Sequence, residues 1–281
     1  MPDHATYDPC SPEKPWGHYE PRTWVRIWLR LLHALPATKF MRRLALWLRK
    51  PLKKTLKGWV DIRVWGLHLR LRSTGNLSEQ RVIYMPQYFD SVERHEIAKA
   101  LQAGGTFFDI GANAGAYSLW VASLQLPGVR IEAFEPDPKL CESLHFNLRS
   151  NSIDSVRVHG VALGNRDGLV SLLAEAENKG ENRIVDDAGE DTLQVEMTTL
   201  PAFIRQHQIT RIDAMKIDIE GHEMNALTPL FESCPRSVWP GIVICELIHD
   251  TDMGLNKLLQ DHGYQLYGKG RLNGIYKKTI L

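Results

Sequence analysis

The sequence predicts an α/β fold, a doubly wound (Rossmann-like) sheet, on three observations. First, Thr106 to Ile110 is a short, β-prone apolar run that ends in two glycines four residues apart, Gly111 and Gly115, and passes into a helix-compatible segment, Tyr117 to Leu124. Second, about 20 residues on, Arg130 to Glu135 reads as another strand ending in an acid. Third, two more apolar runs, Ile212 to Ile217 and Ile242 to Cys245, deliver Asp218 and Glu246 to their carboxyl ends. In such folds that edge forms the ligand crevice.

The details of the glycine turn select the ligand. A dinucleotide site wants G-x-G-x-x-G beneath a pyrophosphate. This chain has no G-x-G and instead carries Asp109 two residues before the first glycine. A carboxylate beside a helix N-terminus disfavours a pyrophosphate and suits a cationic ligand bearing an ammonium group, such as S-adenosylmethionine. Glu135 stands where nucleotide-binding α/β folds hold ribose hydroxyls. Taken alone, Asp109 reads as a solvated helix cap; Asp109, the two glycines and Glu135 together favour the cofactor.

Four motifs resemble those of the FkbM-like S-adenosylmethionine-dependent methyltransferases. They are Asp109-x-Gly111-Ala-Asn113-x-Gly115-x-Tyr117-Ser118, Phe134-Glu135-Pro136, Ala162-Leu163-Gly164 and Lys216-Ile-Asp218-Ile-Glu220-Gly221-His222-Glu223. The first is shared by many methyltransferases; the last points to this family. The resemblance runs from about Trp59 to the C-terminus and implies a seven-stranded class I methyltransferase sheet. It implies O-methylation, often of a sugar hydroxyl in a glycan, a glycolipid or a glycosylated natural product. It also implies cofactor contacts at Asp109, Gly111, Asn113, Gly115, Tyr117, Ser118, Glu135 and Ala162, with Tyr88, Phe89 and Glu93 lying over the cofactor.

Before that domain the chain divides at about residue 57. Residues 1–20 are polar and proline-rich, with no secretory signal, and no apolar run reaches transmembrane length. Residues 22–57 hold six arginines, five lysines and no acid, so the rest of a chain with net charge +1 carries −10. Trp24, Ile27, Trp28, Leu31, Leu32 and Leu35 recur at helical spacing, and Phe40, Leu44, Trp47 and Leu48 repeat the pattern after Pro36. Basic, tryptophan-bearing amphipathic helices suit an anionic membrane surface. Packing on the catalytic domain is the competing expectation; nothing else in the chain resembles a nucleic-acid module. Four cysteines far apart, with no C-x-x-C, suggest neither a zinc site nor a disulfide framework, and fit a cytoplasmic protein peripheral to the inner membrane surface.

The remaining elements follow in order. Trp59 to Leu71 alternates around Trp65-Gly66 and reads as a hairpin; Ser91 to Gln102 reads as a helix capped by Asp90 or Ser91. Pro138 to Asn151 is helical in pattern, and Ser155 to His159 is a third strand of the sheet. Leu169 to Leu173 and Leu193 to Met197 read as strands flanking a long polar loop (Asn178, Gly180, Glu181, Asn182, Arg183, Asp186, Asp187), the candidate for a substrate-covering flap. Leu200 to Gln206 and Leu255 to His262 are short helices, and Tyr264 to Tyr267 with Ile275 to Lys278 form a terminal hairpin whose turn includes Arg271.

Transfer to a hydroxyl needs a general base within hydrogen-bonding reach. Asp218, Glu220 and Glu246 are the candidate carboxylates, with His222 and His249 as alternatives, and Lys216 is expected to pair with a neighbouring acid. Glu223 reads as a helix N-terminal acid. Clustered acids could also clamp a divalent cation against sugar hydroxyls, but metal-free base catalysis ranks first. Neither an N/D-P-P-aromatic motif nor a Pro-Cys nucleophile is present, which disfavours nucleic-acid methylation. The alternative is a non-catalytic membrane- or nucleic-acid-binding adaptor that keeps the methyltransferase fold.

Overall fold

A computed structural model describes residues 14–173, 183–185, 192–247, 254–270 and 272–279. The chain opens with two helices, α1 (Thr23–His33) and α2 (Lys39–Thr55), the second capped by the Thr38 hydroxyl, which accepts from the Met41 N–H. The hairpin β1 (Trp59–Val64) and β2 (Leu67–Arg72) turns at Trp65 and Gly66, both at positive φ, as a two-residue loop requires. Among the described residues it pairs with no other strand. Next come α3 (Leu77–Tyr84), a 3₁₀ turn at Pro86–Tyr88 and α4 (Ser91–Ala100).

The doubly wound part alternates β3 (Gly105–Ile110), α5 (Ala116–Ser123), β4 (Val129–Phe134), α6 (Pro138–Ser150) and β5 (Val156–His159). A side sheet follows: β6 (Ala162–Gly164), β7 (Gly168–Leu173), β8 (Arg183–Val185) and β9 (Thr192–Thr199). Then α7 (Leu200–Gln206), β10 (Ala214–Ile217), α8 (Glu223–Ser233), β11 (Ile242–Glu246), α9 (Gly254–Asp261), β12 (Tyr264–Lys269) and β13 (Asn273–Lys278) complete the chain. The main sheet has seven strands in the order β12-β13-β11-β10-β3-β4-β5. Only β13 runs against its neighbours, giving the mixed sheet expected. Strand order reverses at β3, with β4 on one side and β10 on the other, so the crevice opens above the ends of β3 and β10.

Two apolar clusters sandwich the sheet. One gathers Phe203, Leu227, Leu230, Val243 and Tyr276; the other gathers Phe107, Leu119, Ile131 and Ile244 and extends without a break to Val25, Leu29, Leu32, Ala45 and Leu52 of the first two helices. One stripe of each basic helix is therefore core, as the packing expectation held. A second stripe, Trp24, Ile27 and Leu31 on α1 and Phe40, Leu44 and Trp47 on α2, remains exposed.

Two elements differ from expectation. The eight-residue α3 carries no strong apolar period, and its start is announced only by Asn76, whose side chain accepts from the Glu79 N–H. Strand β6 pairs in parallel with β9, so the hairpin segment β7–β9 becomes a separate four-stranded sheet. Most of the expected flap loop (Asn178, Gly180, Glu181, Asn182, Asp186 and Asp187), together with His249 and Arg271, lies outside the described residues.

Candidate active site

Two clefts meet above the carboxyl ends of β3, β4 and β10. The first is a slot between β4 and the side sheet. Its walls are apolar (Leu140, Val161, Ala162, Leu163 and Ile219), and Leu172 and Ile184 of the side sheet close it. Glu135, directly after β4, is the buried acid of that slot. Its two oxygens accept from the Asn113 N–H at 2.8 Å and the Asp137 N–H at 2.9 Å. Burial pushes the Glu135 carboxyl up to about 7 against the pull of those two N–H donors, with Asp137 and Asp109 adding repulsion. Each oxygen keeps a second lone pair for a hydroxyl. A rigid acceptor beside an apolar slot fits the ribose diol and adenine of S-adenosylmethionine.

The turn after β3 is built for this contact. Asn113 takes the left-handed conformation, φ 54°, which points its N–H at Glu135. Its side-chain oxygen accepts from Ala114 N–H and, at 2.6 Å, from the Asn76 amide, so the cap of α3 also steadies the cofactor turn. Gly111 lies at φ 74°, where an added Cβ would stand 2.0 Å from the Asp218 carbonyl oxygen. Gly115 at φ 83° would instead meet Leu144 of α6. Gly111 thus allows the approach of two site loops while lining both clefts, and Gly115 allows the packing of α6 against the turn.

Asp109 is buried at the end of β3 and is no solvated cap. One oxygen accepts from both the Ser118 hydroxyl, at 2.6 Å, and the Ser118 N–H, at 2.9 Å, tying the strand to the first turn of α5. Burial raises its carboxyl to about 6, opposed by Ser118 and the Lys216 charge. Tyr117, also buried, donates its hydroxyl to Asp90, which is paired with Arg81 as well. Asp90 sits at φ 37° at the start of α4 and gives that helix no side-chain cap, contrary to expectation, because its carboxylate is committed to Tyr117 and Arg81.

The second cleft, about 460 Å³, runs outward from Asp218, Glu220 and Glu246, past Tyr88 and Phe89, to one face of α2. Asp218 and Glu220 follow β10, and Glu246 ends β11, so adjacent parallel strands bring the three carboxylates together with oxygens within 4.8 Å of one another. Lys216, buried on β10, donates to Asp218 at 2.8 Å and sits over the Tyr117 ring. Burial alone would lower its pKa; Asp218, Asp90 and Asp109 outweigh that and raise it, so Lys216 is a fixed cation and no base. Glu220 occupies the left-handed region at φ 53°, a conformation that costs energy and is held by Glu223, which accepts from the Ile219 and Gly221 N–H groups. Glu223 therefore braces the loop on which Asp218 and Glu220 stand. His222 starts α8 beside Asn225, outside the lining of the two clefts, and Glu93 is buried beneath Asn273.

Residues that sequence reasoning passed over are Asn76 and Arg81, and Asp90 was read only as a helix cap. Asn76-x-x-Glu79 has the spacing of a capping box, a usable signal. Asp90 and Arg81 reach the site through tertiary contacts only.

A family model described as methyltransferase FkbM domain matches residues 109–266. The 31-O-demethyl-FK506 methyltransferase FkbM of Streptomyces tacrolimicus is 27% identical over 226 residues, covering 67% of this chain and 83% of that one. The AMB antimetabolite synthetase AmbE of Pseudomonas aeruginosa is 26% identical over 256 residues; the match takes in 75% of this chain and spans only 12% of that protein's length. Among solved structures, methyltransferase FkbM from Methylobacillus flagellatus KT superposes with a TM-score of 0.42 at 18% identity, over 62% of this chain and 43% of that one.

Proposed function

This chain belongs to the FkbM methyltransferase family, uses S-adenosylmethionine, and, we propose, methylates a hydroxyl oxygen on a sugar-bearing acceptor. The observation that carries the proposal is the carboxylate trio Asp218, Glu220 and Glu246 at the inner end of the second cleft, adjoining the cofactor slot through Asp218 and Glu220. Bound S-adenosylmethionine supplies a methyl group already activated on a sulfonium. What remains for the protein is to align the acceptor oxygen and to remove its proton. One oxygen of Asp218 is occupied by Lys216, which holds that carboxylate in place. Glu220 and Glu246 stand beside it as the proton acceptors, and Phe89 and Tyr88 wall the cleft against water. The name of the Streptomyces relative refers to methylation at a 31-O position, in line with oxygen as the target.

The test is methyl transfer to a panel of glycosides by wild type, Asp218→Asn, Glu220→Gln and Glu246→Gln, with S-adenosylhomocysteine affinity measured alongside. The base variant is expected to lose about 10²–10⁴-fold in kcat with cofactor affinity kept. Activity is expected to persist in excess chelator; loss reversed by Mg²⁺ would make the trio metal ligands. Cofactor binding without transfer to any hydroxyl acceptor would favour the adaptor reading.

The outward stripe of the first two helices supports a second part of the proposal: the protein rests on an anionic membrane surface. Leu31, Phe40 and Trp47 are 66%, 72% and 65% exposed, and Arg43, Lys50 and Lys54 flank them on α2. No helix among the described residues is long and apolar enough to cross a membrane, so the contact would be peripheral.

A further inference from the structure

We infer that the acceptor is anionic, and that a phosphate or diphosphate group on it is gripped by Arg42, Arg49 and Lys53 at the outer end of the second cleft. The inference rests on the reading of the inner end as the place of methyl transfer. Positions 42, 46, 49 and 53 of α2 are spaced four, three and four residues apart, so they form one face of the helix, and all four line the cleft that Asp218, Glu220 and Glu246 line at its other end. Arg81 of α3 joins them in the lining. A different face of α2, with Ala45 and Leu52, is locked in the core, so the cationic face is held in position rather than waving in solvent.

Among the described residues, two of these cations carry no ion pair of their own, whereas Arg81 is paired with Asp90. Residues 22–57 contain no acid, and among the described residues neither Arg42 nor Lys53 is in an ion pair. Burial, and after it the charge of Arg49, lowers the pKa of Lys53. Cationic groups lining a concave wall concentrate anions, and arginine forks match phosphate oxygens in pairs. The opposite end of the cleft is acidic. An extended polyanion would be repelled there, whereas a small molecule with a phosphate at one end and neutral hydroxyls at the other matches the polarity along the cleft. A sugar joined through a phosphoester or diphosphate has that form, whether its far side is a nucleoside or a lipid.

The probe is sodium pyrophosphate, titrated calorimetrically into the full-length protein saturated with S-adenosylhomocysteine. Wild type is expected to bind it with an affinity that falls as salt rises. Arg42→Gln/Lys53→Gln is expected to lose tenfold or more, with unchanged S-adenosylhomocysteine affinity and melting temperature. Equal binding by the double variant, or no binding by a wild type that still holds S-adenosylhomocysteine, overturns the inference while leaving the O-methylation reading intact. Methyl transfer is then assayed with a uridine-diphosphate sugar in solution and a polyprenyl-diphosphate-linked sugar in phosphatidylcholine vesicles. Whichever is methylated, with inhibition by pyrophosphate, names the source. Transfer confined to neutral glycosides and indifferent to pyrophosphate overturns the inference; transfer to no hydroxyl at all would instead overturn the function on which it rests.

Discussion

Glu79 shows how a single buried acid links this site to pH. It stands at the start of α3, three residues after Asn76, with one oxygen accepting from the Arg72 N–H and the other without a hydrogen-bond partner. Burial pushes its carboxyl up from 4.5 to about 7, with the Arg72 N–H and charge opposing. Since the folded value lies above the unfolded one, the unfolded chain releases this proton first as pH rises. The contribution is therefore fully present below about pH 4.5 and is lost as pH rises through about 7, a change on the order of 3 kcal/mol. Glu79→Gln keeps the shape and removes the titration. Its stability relative to wild type, from urea unfolding, is expected to climb between those pH values and level off above them; a flat difference would show that Glu79 titrates normally. Asn76 accepts from the Glu79 main-chain N–H and donates to Asn113, so Glu79 lies two hydrogen bonds from the cofactor turn.

Among the elements, the β1–β2 hairpin buries an ion pair between its two strands. Asp61 and Arg70 face each other across the two strands and are fully buried. Arg70 donates to both Asp61 oxygens, at 2.7 and 2.9 Å, and to the carbonyls of Lys14 and Pro15. Asp61 also accepts from the N–H groups of Gly17 and Tyr19, so the pair anchors residues 14–19 over the hairpin. Removing one charge leaves the other buried without its counterpart, which costs about 3–5 kcal/mol. Asp61→Ala is accordingly expected to lower the unfolding free energy by that amount and to speed amide exchange at Gly17 and Tyr19. Loss below about 1 kcal/mol would mean that Arg70 finds another partner. The hairpin itself was legible from alternation around Trp65-Gly66; that it would bury an ion pair was not, because Asp61 and Arg70 read as ordinary outward residues of a two-faced strand.

For the whole molecule, the two first helices carry three jobs on three faces: core contact, cleft wall and exposed apolar stripe. The membrane proposal concerns only the last. Trp24→Ser/Phe40→Ser/Trp47→Ser removes exposed side chains and no core contact, so folding should be unaffected. The full-length protein is expected to co-sediment with vesicles containing phosphatidylserine and the triple variant to remain in the supernatant. Equal sedimentation of both would sink the membrane contact. The main strands of the sheet, the acids at their ends and the α/β class were determined by the sequence alone. Buried parallel strands read as continuous apolar runs, and glycines at forced turns leave a local signature at Gly111 and Gly115. Which face of α2 meets the core, why Asp90 abandons its helix for Tyr117, and how Asp218, Glu220 and Glu246 converge while His222 stays outside were decided only by the tertiary structure. Those outcomes depend on contacts between residues distant along the chain, and a helical or strand period specifies which side chains share a face but not what that face will touch.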